Sequence, residues 1–375
     1  MFERVKLLMV KIVSWCFSIF PIKKNRVFFV SFFGKSYSDN PKAVSETMYD
    51  MFQRQFEYVW LLNDKDNRVP SYVKRCRRNS IKMWYYMATS KVWVSNFTMT
   101  KGLHKRKGQT YIQTWHGDKA FKKILLDIHD KPNKWYFETN HTDLMIVGSD
   151  YGEKQMRTAF HYDGDFLKVG CPRNDIFFKE NKELKKRLRQ MYACADGEKI
   201  LLYAPTLRES CNLRKQPVAL NLKKVLSVLE NSTNSKWKIL IRAHSANSNY
   251  GLDVETSDKI ISATDYPDMN ELLQIVDVLI TDYSSCAGDF ALSGKPILLY
   301  QDDLSDYINN SRELYFDMND TPYYKFSNQD GLLAFLKGIN SIDSVDNCKK
   351  ILDFYHSAES GKASYAVAEY IYNLK

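Results

Sequence analysis

The sequence predicts an α/β protein made of two Rossmann-like domains facing a cleft. Three observations predict it. Short apolar runs rich in β-branched and aromatic residues alternate with segments of helical spacing along nearly the whole chain. That alternation starts at Arg26 and restarts at Lys199, giving two β/α sets of similar length. Polar groups stand at the ends of the apolar runs, where open parallel sheets place their ligands. A chain of 375 residues is also longer than one core usually serves. The expected organisation is a helix over residues 1–24, a first domain over 25–178 and a second over 179–375, with the last helix able to pack back on the first domain.

Composition narrows the setting. Seven cysteines are scattered with no C-x-x-C pair, which argues against a disulfide framework or a structural zinc site and for a reducing, cytoplasmic compartment. The net charge of +10 is concentrated early: residues 1–130 hold 24 Lys/Arg against 10 Asp/Glu. Such a basic part points to an anionic partner, either a membrane surface, a nucleic acid or a phosphorylated polymer, or else is a plain solvated face. No helix-turn-helix, RNP-type or zinc-finger pattern accompanies the charge, so nucleic acid is not expected.

Taken in order, Val5 to Phe20 is almost wholly apolar, with Arg4, Lys11, Ser14 and Ser18 on one narrow helical stripe. The continuous apolar part, Ile12 to Ile22, is too short to span a bilayer, and Lys23, Lys24 and Arg26 follow in place of a cleavage site. The expectation is a helix lying in the membrane interface, anchored by Trp15. The alternative is a helix packed on the first domain.

Arg26 to Phe33 reads as a strand that ends at Gly34 and the turn KSYSDNPK, followed by a helix from Ala43 to Phe52. Strands follow at Phe56 to Leu62 and Val92 to Ser95, and the basic runs Lys74 to Lys82 and Lys101 to Lys107 read as surface. Tyr111 to Trp115 is a strand leading into His116-Gly117, a tight exposed turn from which an imidazole can reach a substrate, although a lone His is more often structural. Leu144 to Ser149 and Phe166 to Gly170 are strands, the second ending at Cys171-Pro172-Arg173-Asn174-Asp175.

In the second set, Lys199 to Tyr203 ends at Ala204-Pro205-Thr206, and Trp237 to Ile241 ends at Arg242-Ala243-His244. The apolar run Val276 to Ile280 then meets Thr281-Asp282 and the pair Ser284-Ser285. A helix is expected from there to about Leu292, stopping at Gly294, before a strand from Ile297 to Tyr300. The serines either cap that helix or, with its first N–H groups, hold an anion such as phosphate; spacing alone does not choose.

Seven segments in this order, SFFGKSYSDNPK, YIQTWHGDKAFKKI, CPRND, LLYAPTLR, IRAH, TDYSS and GKAS, make the chain resemble the CDP-glycerol glycerophosphotransferases, which include teichoic acid primases, polymerases and related capsule enzymes. The resemblance implies a GT-B type fold and transfer of a polyol phosphate from CDP-glycerol or a related CDP-polyol. The acceptor would be a hydroxyl of a lipid-linked or polymeric cell-wall or capsule chain, and CMP would be released. It implies a peripheral place on the cytoplasmic face of a bacterial membrane, an anionic membrane surface as partner, and no obligatory metal or cofactor. His116 matches the family's WHG histidine and would be the general base, with Asp118 orienting it. His244 and Arg242 would contact the pyrophosphate. Ser284, Ser285, Asp282, Thr206, Arg208 and Asp289 would form or line the donor site, and Lys119, Lys122, Lys123, Arg173 and Asn174 the acceptor side. Cys286, Ala287 and Gly288 are smaller than the family's usual residues and leave the donor polyol open. The rival enzyme reading is a GT-B glycosyltransferase using a nucleotide sugar.

Overall fold

A computed structural model describes residues 2–64, 68–128, 136–206, 208, 215–217, 220–243, 251–253 and 255–375. The chain divides into two compact units. The first comprises Met1–Asp118, Leu125–Phe178 and Ser357–Lys375; the second comprises Lys119–Ile124 and Lys179–His356.

The first unit is built on seven strands: Lys23–Val30 (β1), Glu57–Leu61 (β2), Lys74–Cys76 (β3), Ser90–Ser95 (β4), Thr110–Gln113 (β5), Leu144–Val147 (β6) and Asp165–Lys168 (β7). All pair in parallel, in the order β3-β2-β1-β4-β5-β6-β7. Because side chains alternate along a strand, the run Val27–Val30 serves both faces. Val27 and Phe29 join Trp60, Val94 and Ile112 beneath the helices Asp39–Phe52 and Ala363–Asn373. Phe28 and Val30 join Leu61, Trp93 and Tyr111 beneath the helix Ile81–Thr89. The C-terminal helix is thus part of the first unit, with Tyr372 stacked on Phe52 at 4.6 Å.

Phe2–Cys16 is a helix, followed by a 3-10 turn at Phe17–Ile19. Of the expected polar stripe, Ser14 turns toward the protein, whereas Lys11 remains exposed. Ser14 is buried and its Oγ accepts a hydrogen bond from the His104 amide at 3.1 Å. The stems of Leu7 and Lys11 lie against Gly102, and Val10 packs on the cluster containing Met83 and Met87. Apolar side chains dominate what points outward, namely Val5, Leu8, Met9, Ile12, Trp15 and Ile19, from 51% exposed at Ile12 to 81% at Ile19, with Lys6 and Lys11 exposed beside them. The helix is therefore docked on the first unit while it leaves a largely apolar outer face. Among the described residues, no helix is long and apolar enough to cross a membrane.

The second unit repeats the design. Its strands are Lys199–Ala204 (β8), Lys215–Pro217 (β9), Trp237–Ile241 (β10), Gly251–Asp253 (β11), Ile260–Ser262 (β12), Val278–Thr281 (β13), Ile297–Tyr300 (β14) and Tyr324–Phe326 (β15). Six form a parallel sheet in the order β12-β10-β8-β13-β14-β15, and β9 pairs with β11 apart from it. Leu201, Tyr203, Ile239, Ile241, Ile280 and Leu298 pack against the helices Leu222–Thr233 and Gln329–Lys337. Both sheets reverse direction once, between β1 and β4 and between β8 and β13. The crevice outside the carboxyl ends at such a reversal is where a doubly wound sheet takes its ligand.

Candidate functional site

In the first unit, the loops leaving β1, β4 and β5 at the reversal all meet at His116. Its Nδ1 lies 2.7 Å from the backbone carbonyl of Asn96, at the end of β4. A carbonyl only accepts, so Nδ1 carries the proton, and in the neutral imidazole Nε2 carries the lone pair. The Asn96 side chain accepts from the Phe32 amide at 2.9 Å, tying the loop after β1 to the same residue. Around the ring stand Trp115, Phe97 and Phe32, with centroids 4.1, 5.2 and 5.4 Å away. From the other side, Asn40 Nδ2 donates to the carbonyls of Thr114 and Trp115 at 3.1 and 2.8 Å. Phe32, Phe33, Asp39 and Trp115 all have positive φ, a conformation that costs non-glycine residues about 1 kcal/mol or more each and clusters where a site is held in one geometry.

Asp118 anchors the loop that follows β6. Its Oδ2 accepts from the Gly148 amide and the Ser149 hydroxyl, both at 2.8 Å, and its Oδ1 takes the Cys171 thiol at 3.4 Å. Glu359 completes this cluster by accepting from the Cys171 amide and from Asn174 Nδ2, at 3.1 and 2.7 Å. Asp118, Cys171 and Glu359 bring potential metal ligands within 4.8 Å of one another. Their hydrogen bonds give them a bracing role at the start of the helix Asp150–Phe160. Arg173 is buried and ion-paired to Asp39 at 2.8 Å, and Asn174 is fully buried. Lys119 is fully buried in the second unit, its stem against Gly288. Lys123 belongs to the same unit and pairs with Glu313 at 2.5 Å, and Lys122 forms a bridge to Leu314 there. Arg173, Asn174 and Lys119 are thus buried, and Lys122 and Lys123 are half-buried.

In the second unit, the loops after β8, β13 and β14 are knotted by two carboxylates, Asp282 and Asp303. Asp282 accepts from the Thr206 amide at 2.9 Å, from the Thr206 hydroxyl, and from Arg208 Nη1 at 2.8 Å. Arg208 also grips Asp303 through Nε and Nη2 at 2.6 and 3.1 Å. Its guanidinium lies over Tyr283 and Tyr307, two rings stacked at 3.8 Å. Burial opposes its charge, but Asp282 and Asp303 outweigh that and raise its pKa above the ordinary arginine range. Arg208 and Asp282 therefore frame the turn.

Arg242, expected at a pyrophosphate, is buried and donates to the carbonyls of Ala263 and Tyr266; burial pulls its pKa below the usual arginine value. Asp289 is buried, and His244 lies outside the described residues. Ser284 and Ser285 are half-buried at the start of the helix Cys286–Phe290, and the Ser285 hydroxyl makes no capping bond to it. The helix tightens to a 3-10 turn at Ala291–Ser293 and stops at Gly294, as the sequence suggested, and the φ of +68° there suits glycine. Among the described donor residues, Ser284, Ser285 and Arg208 are half-buried and the others buried.

A family model for the CDP-glycerol:poly(glycerophosphate) glycerophosphotransferases matches residues 12–373. The chain belongs to this family. It is 29% identical over 380 residues to the teichoic acid poly(glycerol phosphate) polymerase of Bacillus spizizenii, covering 96% of each. It is 30% identical to the Staphylococcus epidermidis protein of the same description, covering 94% of this chain but only 51% of that one, about half its length. Among solved structures, the wall teichoic acid polymerase TagF matches with a TM-score of 0.84 at 28% identity, over 99% of this chain and 95% of that one. The protein is thus a transferase of the CDP-glycerol glycerophosphotransferase type, and the nucleotide-sugar glycosyltransferase reading is not favoured.

Sequence reasoning found His116 in this glycerophosphotransferase but passed over Asn96, Asn40 and Asp303. Asn96 directly follows a strand and Asn40 precedes a proline, both positions where a polar side chain answers backbone groups. Strand-end position alone would have flagged Asn96 beside His116.

Proposed function

We propose that this chain transfers glycerol phosphate from CDP-glycerol to a hydroxyl of a lipid-linked or polymeric cell-wall acceptor, as a GT-B type enzyme with its base on the first unit and its donor loops on the second. The observation that carries the reading is His116, which sits at a sheet reversal with Nδ1 fixed by a carbonyl and Nε2 the basic nitrogen. In this reading the acceptor hydroxyl gives its proton to Nε2 as its oxygen attacks the β-phosphorus of the donor. The bond from that phosphorus to the bridging oxygen breaks, and CMP departs with the electron pair. Ser284 and Ser285 are the proposed donor contacts, with the Thr206–Asp282–Arg208 knot holding their loop in shape. His244 keeps its proposed place at the donor on the strength of the family motif. No metal ion is part of the reaction in this reading.

The outward apolar stripe of the helix Phe2–Cys16, with Lys23 and Lys24 after it, supports a peripheral seat on an anionic membrane surface at the cytoplasmic face. A donor screen with membrane-borne acceptor tests the whole reading. CDP-glycerol should release CMP in an acceptor-dependent way, UDP-sugars should release nothing, and EDTA should leave the rate unchanged. CDP-ribitol turning over faster than CDP-glycerol would move the donor assignment. No release from either CDP-polyol would overturn it.

A further inference from the structure

Glu138 is a buried carboxyl that the proposed reaction does not use. It sits in the short helix Phe137–His141 with none of its surface exposed. Its Oε1 accepts two hydrogen bonds, from the Met99 amide and from the Tyr111 hydroxyl, the latter at 3.1 Å. Its Oε2 is buried with no hydrogen-bond partner. A buried carboxyl with one oxygen unsatisfied is costly to keep, and burial pushes its pKa up to about 7.

Both bonds at Oε1 lead to His116. Along one route, the Tyr111 hydroxyl accepts from Gln113 Nε2 at 2.8 Å, and Gln113 Oε1 accepts from the Trp115 amide at 2.8 Å. That is the residue before His116, held at a φ of +47°. Along the other, the Met99 amide ties down the loop that begins at Asn96, whose carbonyl binds His116 Nδ1. Gln113 Nε2 also reaches the Phe97 carbonyl in that loop at 3.2 Å, joining the two routes. Chains of buried hydrogen bonds specify one geometry when complete and fail together when one member is removed.

We infer that Glu138, acting through Tyr111 and Gln113, is the positioning residue that holds the Trp115–His116 turn and the Asn96 carbonyl in register for the proposed base. This inference rests on the reading of His116 given above. Glu138 touches no reacting atom; its effect is on where the imidazole points.

The test uses the full-length enzyme with CDP-glycerol and membrane-borne acceptor, scored by CMP release. Tyr111→Phe removes one hydroxyl from the buried chain, and Glu138→Leu removes its root. We expect both to lower kcat at least tenfold while KM for CDP-glycerol stays within about twofold, because the donor loops lie elsewhere. Glu138→Gln keeps one acceptor oxygen and should retain kcat at least tenfold above Glu138→Leu. In protein labelled with 15N-histidine, the ring signals that vanish in His116→Ala should shift in folded Tyr111→Phe. If Tyr111→Phe keeps kcat and those signals unchanged while His116→Ala is inactive, the inference falls and the base reading stands. If His116→Ala turns over like wild type, the base reading itself falls. Should Glu138→Leu fail to fold, Tyr111→Phe decides alone.

Discussion

Replacing Asp282 by asparagine would test the donor-side knot directly. The substitution preserves shape and removes one acceptor. If the amide oxygen keeps the Oδ1 position, it still serves the Thr206 amide, the Thr206 hydroxyl and the Tyr283 amide. The new NH2 group then faces Arg208 Nη1, which had donated to Oδ2 at 2.8 Å, so donor meets donor. The opposite flip loses more bonds. A charge-assisted bond is worth about 1.5–3 kcal/mol, and breaking a buried pair costs about 3–5 kcal/mol. Arg208 keeps its two bonds to Asp303, which places the expected loss near the lower figure, roughly 3 kcal/mol. For a unit of this size that is a fall in Tm on the order of 6–12 °C. Urea titration, followed by tryptophan fluorescence and by circular dichroism, measures it. The double variant Asp282→Asn/Arg208→Leu should fall short of the sum of the two single changes by more than about 1 kcal/mol, because it removes the donor–donor contact. An Asp282→Asn protein within about 0.5 kcal/mol of wild type, or a cycle that adds, would refute the knot as described.

Other expectations follow from single contacts. A Cβ added at Gly288 would lie 2.7 Å from Lys119 Cβ and 2.8 Å from its Cδ, so Gly288→Ala should cost about 1–3 kcal/mol by overpacking, read in the same titrations. Glu138 has its pKa raised to about 7 from the usual 4.5, so the folded state holds a proton that the unfolded state has lost across that window. Stability should therefore fall as pH rises from 4.5 through 7, and the advantage of Glu138→Gln over wild type should grow by roughly 3 kcal/mol, checked by urea titrations at pH 5 and pH 8. Leu8→Glu with Ile12→Glu should abolish co-sedimentation with vesicles rich in anionic lipid while leaving Tm within a few degrees, since both side chains point outward. Vesicle binding that survives would locate the membrane contact elsewhere.

Much of the fold could be read from the chain because parallel strands buried on both faces leave unbroken apolar runs. RVFFV, VLIT and ILLY each fall in a strand of the structure. The position of His116 was also readable, since a strand running into His-Gly must end in a turn. The partners of the site residues were not. Asp118 and Lys119 are neighbours in sequence, yet one braces the first unit and the other is buried in the second, because the chain passes between units at that point. Lys119, Arg173 and Asn174 look like surface groups by residue type, and only long-range packing buries them. Ser14 was legible as polar, but its turn toward the protein depends on His104, some ninety residues on. Glu138 carries no local signal at all. Its importance comes from Tyr111 and Met99, which reach it from other elements.

In the proposed reaction His116 takes the proton of the attacking hydroxyl. The most direct measurement is the single-turnover rate of CMP release from CDP-glycerol, with acceptor-bearing membranes, for wild type and His116→Ala across pH 5 to 9. The expected result is a loss of about 10²–10⁴-fold in the variant and the disappearance of the acidic limb that a titrating imidazole gives to wild type. A variant that keeps both the rate and the limb would contradict it.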